Sequence, residues 1–544
     1  MDLVEASSAP DAAVDGPATE PPPDPGAAPA AGPGAVGRLL SARVLLAAAV
    51  VVVAAGVVLR FRTTSSLWLD EALTVNIAGQ PLSHLQGLLR RDGAPPLFYV
   101  LLHVWMGLFG SSDVAVRVLP GLFSTATIPL VWGAGRRLGG RTVAASAVLL
   151  VASSPFAVRY GTEARMYSLV ALLVVAGVLS MGRVLDRPRP GNLVALGACT
   201  GLLLYTHYWS FYLVGMTGLW LVWQSRWGPA GRRPAARLAL VAVVVGSLTF
   251  LPWIPTFLYQ SAHTGTPWAV PANFAAMVDA ISSFAGGATN QGRVLALVYF
   301  ALAGLGLFGV ARGAFHIDLD LRTLPRSRGL AIALVGTLAA AIVGGYVSRS
   351  TFQPRYSMVV FVPLVLLVAL GISAFADRRI RVGVLAVAVV CGLAGGIADI
   401  TGQRTQAPLV AAALAQLGRP GDVVAYCPDQ LGPDVSRVLP GGRYQQITFP
   451  RGTGPAFVDW VDYAQASAEG NPAGFARRLE GLAAGGHQIW LVWAPGYQTF
   501  GTKCESLERV LLADGGFGAH EQVVPNPKIY FEPEELVRFA PVSP

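Results

Sequence analysis

The chain has 544 residues, of which 53% are hydrophobic and only 13% charged, and its mean hydropathy is +0.52. Soluble proteins carry about 25% charged residues, so this composition excludes a soluble single-domain enzyme, a coiled coil and a disordered protein. It indicates a polytopic membrane protein. The net charge of +9 invites a nucleic-acid partner, but the placement of the charges refutes one. Of the 40 basic residues only Lys503 and Lys528 are lysine, which reads as the codon bias of a high-GC genome.

Residues 1–36 are Pro, Ala and Gly with scattered acids such as Asp2, Glu5 and Asp24. Such a segment buries too little apolar surface to offset its ordering entropy, and is expected to be a disordered cytoplasmic N-terminus. It lacks the basic start of a signal peptide. The first apolar run, 44–59, follows Arg38 and Arg43 and reads as an uncleaved signal anchor. Further runs lie at 114–135, 142–157, 168–182, 192–206, 208–224, 238–258, 293–311, 329–347, 357–375 and 382–398, which predicts eleven spans.

The positive-inside rule tests that count. With the N-terminus inside, the inner loops carry Arg136, Arg137 and Arg141, then Arg183, Arg187 and Arg189, then Arg226, Arg232, Arg233 and Arg237. The later inner loops carry Arg312, Arg322, Arg326 and Arg328, and Arg378, Arg379 and Arg381. The loop at 259–290 has neither Lys nor Arg. The agreement requires that 95–110, short and amphipathic, lies flat on the outer surface. The segments 60–113, 157–167, 259–290 and 348–356 then fall outside, with the whole tail after 399. The basic excess is topological, and no nucleic-acid partner is expected.

Residues 400–544 form a separate unit, with strand-like runs at 422–427, 488–494 and 523–531 among helix-like stretches. This pattern predicts an extracytoplasmic α/β domain. Cys427 and Cys504 fall in it, and on an oxidising face two such cysteines read as a disulfide, with two free buried thiols the alternative. No metal-ligand cluster, P-loop or internal repeat stands out.

Candidate chemistry sits where ionisable groups are forced to the outer membrane face. Asp70 and Glu71 lie among Trp68, Leu69, Ala72 and Leu73, so burial and like-charge proximity would raise one of the two pKa values, as a general base requires. The alternative is an acid pair favoured by a helix N-terminus. In Arg159-Tyr160-Gly161-Thr162-Glu163-Ala164-Arg165-Met166-Tyr167, a helix would put Glu163 and Tyr167 on one face. The alternative is an interfacial belt of Arg and Tyr. His207, in Tyr205-Thr206-His207-Tyr208-Trp209, reads either as a phosphate or carboxylate partner or as part of an aromatic belt. In Gln353-Pro354-Arg355-Tyr356, an Arg in a first helical turn opposes the dipole, and a bound anion explains it.

One ligand suits these features together: a lipid phosphate clamped by Arg, with a carboxylate beside it. Glycosyl transfer from a polyprenyl-phosphate sugar fits, because a phosphate leaving group needs positive charge and the acceptor needs one base. A glycosidase would instead use two carboxylates at fixed separation.

The sequence resembles the GT-C glycosyltransferases of the protein O-mannosyltransferase and aminoarabinose-transferase type (family 39), in an actinobacterial form. The matching residues are Trp68-Leu69-Asp70-Glu71, Gly93-Ala94-Pro95-Pro96-Leu97-Phe98-Tyr99 and Ala115-Val116-Arg117-Val118-Leu119-Pro120. Arg136-Arg137-Leu138-Gly139, Glu163-Ala164-Arg165-Met166-Tyr167 and Pro354-Arg355-Tyr356 complete them. The resemblance covers roughly 60–400. It implies a polytopic α-helical fold over 37–399 and makes Asp70 the base, with Glu71 its neighbour and Glu163 a second acid. It makes Arg165 and Arg355 the residues that hold the donor phosphate; the reading of the residues themselves sets Tyr167, His207 and Tyr356 beside them. Ala94 departs from the family, which often has His there. The tail falls outside the shared module; actinobacterial similarity suggests acceptor or carbohydrate binding, with Trp460, Trp490, Trp493 and Tyr497 as stacking candidates, although strand burial suits Trp490 and Trp493 better.

The expected activity is inverting transfer of a mannose- or arabinofuranose-class sugar to a cell-envelope glycan, lipoglycan or protein hydroxyl at the plasma membrane. No cofactor is required; a divalent cation beside Asp70 and Glu163 is compatible, but no ligand spacing demands one. The competing readings are a transporter or flippase, and a non-catalytic scaffold for the tail. A transporter would place ionisable groups near the span centres, which here are nearly free of charge.

Overall fold

The computed structural model describes residues 41–265, 273–313, 316–348, 352–494, 500–513 and 516–542. The expected disordered segment 1–36 and the candidate Tyr497 lie outside them. Among the described residues, eight helices are long and apolar enough to cross a membrane by length and composition. The architecture is a polytopic helical bundle followed by an α/β region.

The eleven apolar runs fall mainly on helices, but not one to one, and the run at 293–311 ends in the strand Gly309–Ala311. Residues 114–135 and 142–157 largely share one hydrogen-bonded stretch, Asp113–Ser153, with non-helical backbone at Gly139 and Gly140. A straight helix would hold Gly135 and Ala144 about 13 Å apart. Here a Cβ on Gly135 would stand 2.7 Å from the Ala144 Cα. The chain therefore doubles back, and Gly140, at φ 77°, supplies a turn few other residues accept. Arg136, Arg137 and Arg141 flank that turn.

Segment 95–110 forms the Leu97–Phe109 helix, whose 13 residues are too few to span a bilayer. The Met358–Ser373 helix is the buried axis of the bundle. It packs closely on Asn290–Phe308, where Cβ atoms on Gly306 and Gly371 would sit 2.2 and 1.8 Å from the carbonyl oxygens of Leu367 and Leu302. Small residues permit that approach between membrane helices. The contact fixes the helix that carries Arg355 at its head.

The last long helix, Arg378–Thr401, runs just past the expected boundary at 399. The tail is built on five strands ordered Gln445–Thr448, Val423–Cys427, Ile489–Trp493, Glu535–Pro541, Phe517–Val523. The first three pair in parallel and the last two antiparallel. Val423–Cys427 and Ile489–Trp493 are buried at every residue, as expected for parallel strands covered on both faces. The expected strand at 523–531 is replaced by the end of one strand, a loop, and Tyr530–Glu532, which pairs with Gln403–Thr405. Asn526 makes that loop: its amide donates to Gln406 Oε1, and its carbonyl accepts from Ile529 and Tyr530. Cys427 is bonded to Cys504, with Cα atoms 5.6 Å apart. Trp460, Trp490 and Trp493 are buried in the tail cores, so none is presented as a stacking surface.

Candidate functional site

The site begins with a short apolar helix, Leu69–Ala78, whose first turn carries both acids of the sequence motif. The two diverge. Glu71 points inward and is fully buried. Arg117 Nε and Nη2 donate to its two oxygens at 2.7 and 2.5 Å, Arg404 Nη1 donates at 3.2 Å, and the Ala164 amide at 2.8 Å. Burial alone would raise this carboxyl, but Arg117 and Arg404 outweigh it and hold it down at about 2. The rise expected for one member of the acid pair therefore does not fall on Glu71, whose surroundings leave it an ion-pair anchor and not a base.

Asp70 remains partly open, with its side chain 17% exposed. Its Oδ2 lies 3.8 Å from Arg165 Nη2 and 3.6 Å from Arg355 Nη2, within ion-pair reach but outside hydrogen-bond distance. Arg165 is held by Thr74 Oγ1 at 2.8 Å. Arg355 sits in the turn Pro354–Ser357 ahead of the Met358–Ser373 helix, over the rings of Trp68 and Tyr356. Asp70 is thus an immediate partner for Arg355, which the sequence reading had assigned to a bound anion. The Nε atoms of Arg165 and Arg355, Asp70 Oδ2, the Tyr167 hydroxyl and Trp68 Nε1 are all buried without a hydrogen-bond partner.

Tyr167, His207 and Tyr356 line the same place, with His207 5.8 Å from the Tyr167 ring and 5.4 Å from the Tyr356 ring. Burial, then Arg165 and Arg355, depress the His207 pKa to about 3, so the imidazole is neutral. Its Nδ1 accepts from the Trp209 amide, leaving Nε2 as a donor. His207 is therefore a neutral donor and not the cation a phosphate would prefer.

Glu163 departs from the expected helix face. Residues 162–166 are not helical, and the next long helix starts at Tyr167. Glu163 is buried and pairs with Arg159 at 3.3 Å, while Oε1 has no hydrogen-bond partner. Burial raises its pKa against the pull of Arg159 and Arg404. Asp70 faces Arg165 and Arg355, while Glu163 pairs with Arg159.

Two participants escaped the sequence reading. Asp92 accepts from the Tyr99 hydroxyl at 2.6 Å and lies within the fields of Arg165 and Asp70; burial raises its carboxyl. Arg404 comes from the tail and bridges Glu71 to the Thr162 carbonyl and hydroxyl. The tail also reaches the Asp70 loop through Glu532 Oε2, which accepts from the Leu69 amide at 3.0 Å, and through Phe531, edge-on to Trp68. The tail and Asp70 therefore share one face of the molecule.

The sequence model of the dolichyl-phosphate-mannose-protein mannosyltransferase family matches residues 93–254. Over 184 residues the chain is 28% identical to an undecaprenyl phosphate-alpha-4-amino-4-deoxy-L-arabinose arabinosyl transferase of Pseudomonas fluorescens. That stretch is 32% of this chain and spans only 31% of the relative. The fold is similar to that of ArnT from Cupriavidus metallidurans, solved bound to undecaprenyl phosphate, at TM-score 0.53 and 14% identity, covering 93% of this chain and 98% of the other. The apo structure of the same protein gives 0.54, with 91% and 98% covered. The chain has the GT-C fold.

Proposed function

We propose that this GT-C-fold chain is an inverting glycosyltransferase that takes a sugar from a polyprenyl-phosphate donor at the outer membrane face. The sugar is of the mannose or arabinofuranose class, and the acceptor is a hydroxyl of a cell-envelope glycan, lipoglycan or protein. The observation that carries the reading is the pairing of a mostly buried Asp70 with two arginines held just beyond hydrogen-bond distance, beside buried donors that lack partners. Unpaired buried polar groups are costly, and a phosphate with an attached sugar would satisfy them.

In this reading the acceptor oxygen attacks the anomeric carbon while Asp70 takes its proton. The bond from that carbon to the phosphate oxygen breaks, and the configuration inverts. The released phosphate carries the electron pair, and Arg165 and Arg355 stabilise it, so no general acid is needed. The reading is supported by the mannosyltransferase family match and by the ArnT fold.

The test is sugar transfer from a panel of polyprenyl-phosphate sugars by purified protein in lipid, with a donor-binding measurement alongside. Turnover of one donor is expected, reduced roughly 10²–10⁴-fold in Asp70→Asn with donor binding kept. Folded protein that binds none of the donors would overturn the reading.

A further inference from the structure

We infer that Asp434, Glu532 and Glu534 form a binding site for a hard divalent cation, calcium or magnesium, which fastens the tail to the loop carrying Asp70. One carboxylate oxygen from each lies within 4.8 Å of the others, and all three residues are buried. Two further observations point to a ligand. Asp434 Oδ1 and Glu534 Oε2, on residues 1% and 0% exposed, are themselves buried and have no hydrogen-bond partner. Among the described residues, none of the three acids makes an ion pair with an Arg, Lys or His.

The remaining contacts do not balance the charge. Thr405 Oγ1 lies 2.6 Å from Asp434 Oδ2 and 2.8 Å from Glu534 Oε1, but a hydroxyl has one proton to give. The Ala407 amide donates to that same oxygen. Glu532 Oε2 takes the Leu69 amide. Buried charge of one sign is tolerated only when something opposite is brought to it. An oxygen-only donor set of three carboxylates and a hydroxyl suits calcium or magnesium, and not a thiophilic metal. The alternative compensation is protons shared between these carboxyls: burial raises all three, Asp434 to about 6, and the field of Asp434 raises Glu532 and Glu534 further.

The placement gives such an ion a consequence. Thr405 and Glu532 belong to the paired strands Gln403–Thr405 and Tyr530–Glu532, and register sets Thr405 opposite Glu532. Arg404, the residue before Thr405, reaches Glu71, while Glu532 holds the Leu69 amide one residue before Asp70. An ion here would lock the strand pair that grips the Asp70 helix from the tail side.

The experiment uses full-length protein in lipid, stripped with a chelator at about pH 7.5 and titrated with calcium chloride or magnesium chloride. Binding is read by calorimetry and stability by Tm; neither needs turnover, so the outcome is independent of the proposed transferase activity. One ion per chain and a Tm that rises on adding it are expected. Asp434→Asn and Glu534→Gln should each weaken binding at least about tenfold, because ligand charge sets affinity. In chelator both should keep or exceed the wild-type Tm, because repulsion is relieved. No binding, or stabilisation that survives both substitutions, would overturn the inference. So would a Tm that ignores both metals but rises as the pH falls through about 6, since protons would then fill the role. If the variants do not fold, the wild-type comparison of metal against chelator decides alone.

Discussion

At the scale of single residues, Asp70 and Arg355 have separable duties. Asp70 touches nothing at hydrogen-bond distance through its Oδ2, whereas Arg355 faces that oxygen and two aromatic rings. In the proposed reaction Arg355 meets the phosphate in both ground and transition states, so Arg355→Ala should weaken donor binding as well as turnover. A charge-assisted contact of this kind is worth about 1.5–3 kcal/mol, or roughly 10–150-fold in donor affinity. Arg355→Lys should restore little, because a point charge does not reproduce the guanidinium fork. Donor titration of the two variants checks this; unchanged affinity in Arg355→Ala would remove that residue from the site. Much of this was legible from the sequence, because an acid next to Trp68 and Leu69, and an Arg where a span begins, are locally costly. Arg404 was not legible. Its partner Glu71 is 333 residues away, and nothing beside Arg404 in the chain distinguishes it from a surface arginine.

At the scale of elements, Glu71 is where three segments meet: the Asp113–Ser153 stretch through Arg117, the 162–165 loop through the Ala164 amide, and the Gln403–Thr405 strand through Arg404. Arg117 also holds the Ser65 and Ser66 carbonyls, which shapes the approach to Asp70. Removing one partner of a buried pair leaves uncompensated charge, so Glu71→Gln should destabilise by about 3–5 kcal/mol. The carboxyl is depressed in the folded state, so its stabilisation is complete above its ordinary value, 4.5, and is lost as the pH falls toward about 2. Thermal unfolding across that window should show an acid-side loss in the wild type that Glu71→Gln lacks. An identical pH profile in both would show that Glu71 does not anchor the three segments. Elements were legible where one pattern ruled. Apolar runs gave the helices, and continuous burial gave Val423–Cys427 and Ile489–Trp493. The expected strand at 523–531 fails at Pro525-Asn526-Pro527-Lys528, where two prolines without a backbone donor and the bonds at Asn526 turn the chain into a loop. The reading also missed Gln445–Thr448, whose polar start resembles a loop.

At the scale of the whole molecule, the tail is part of the site and not an appendage. It supplies Arg404 to Glu71 and Glu532 to the Leu69 amide, and it docks on the Leu69–Ala78 and Leu82–Asp92 helices through Asn76 to the Ala456 carbonyl and the Trp460 amide to the Arg91 carbonyl. Composition marked the tail as different but held no trace of this docking, which joins residues hundreds of positions apart. The Cys427–Cys504 bond closes a loop of 77 residues within the tail, tying the end of a central strand to the Lys503–Ala513 helix. Such a crosslink stabilises mainly by restricting the unfolded chain, by about 2–4 kcal/mol. Cys504→Ser, or reductant on the wild type, should therefore lower the unfolding temperature of the tail. Because the tail grips the Asp70 helix, turnover should fall at the same temperature at which the tail unfolds, while the membrane helices persist. Tail strand content, helicity and sugar transfer followed through one temperature ramp check this. A tail that melts early while transfer continues would show that Arg404 and Glu532 do not hold the site together.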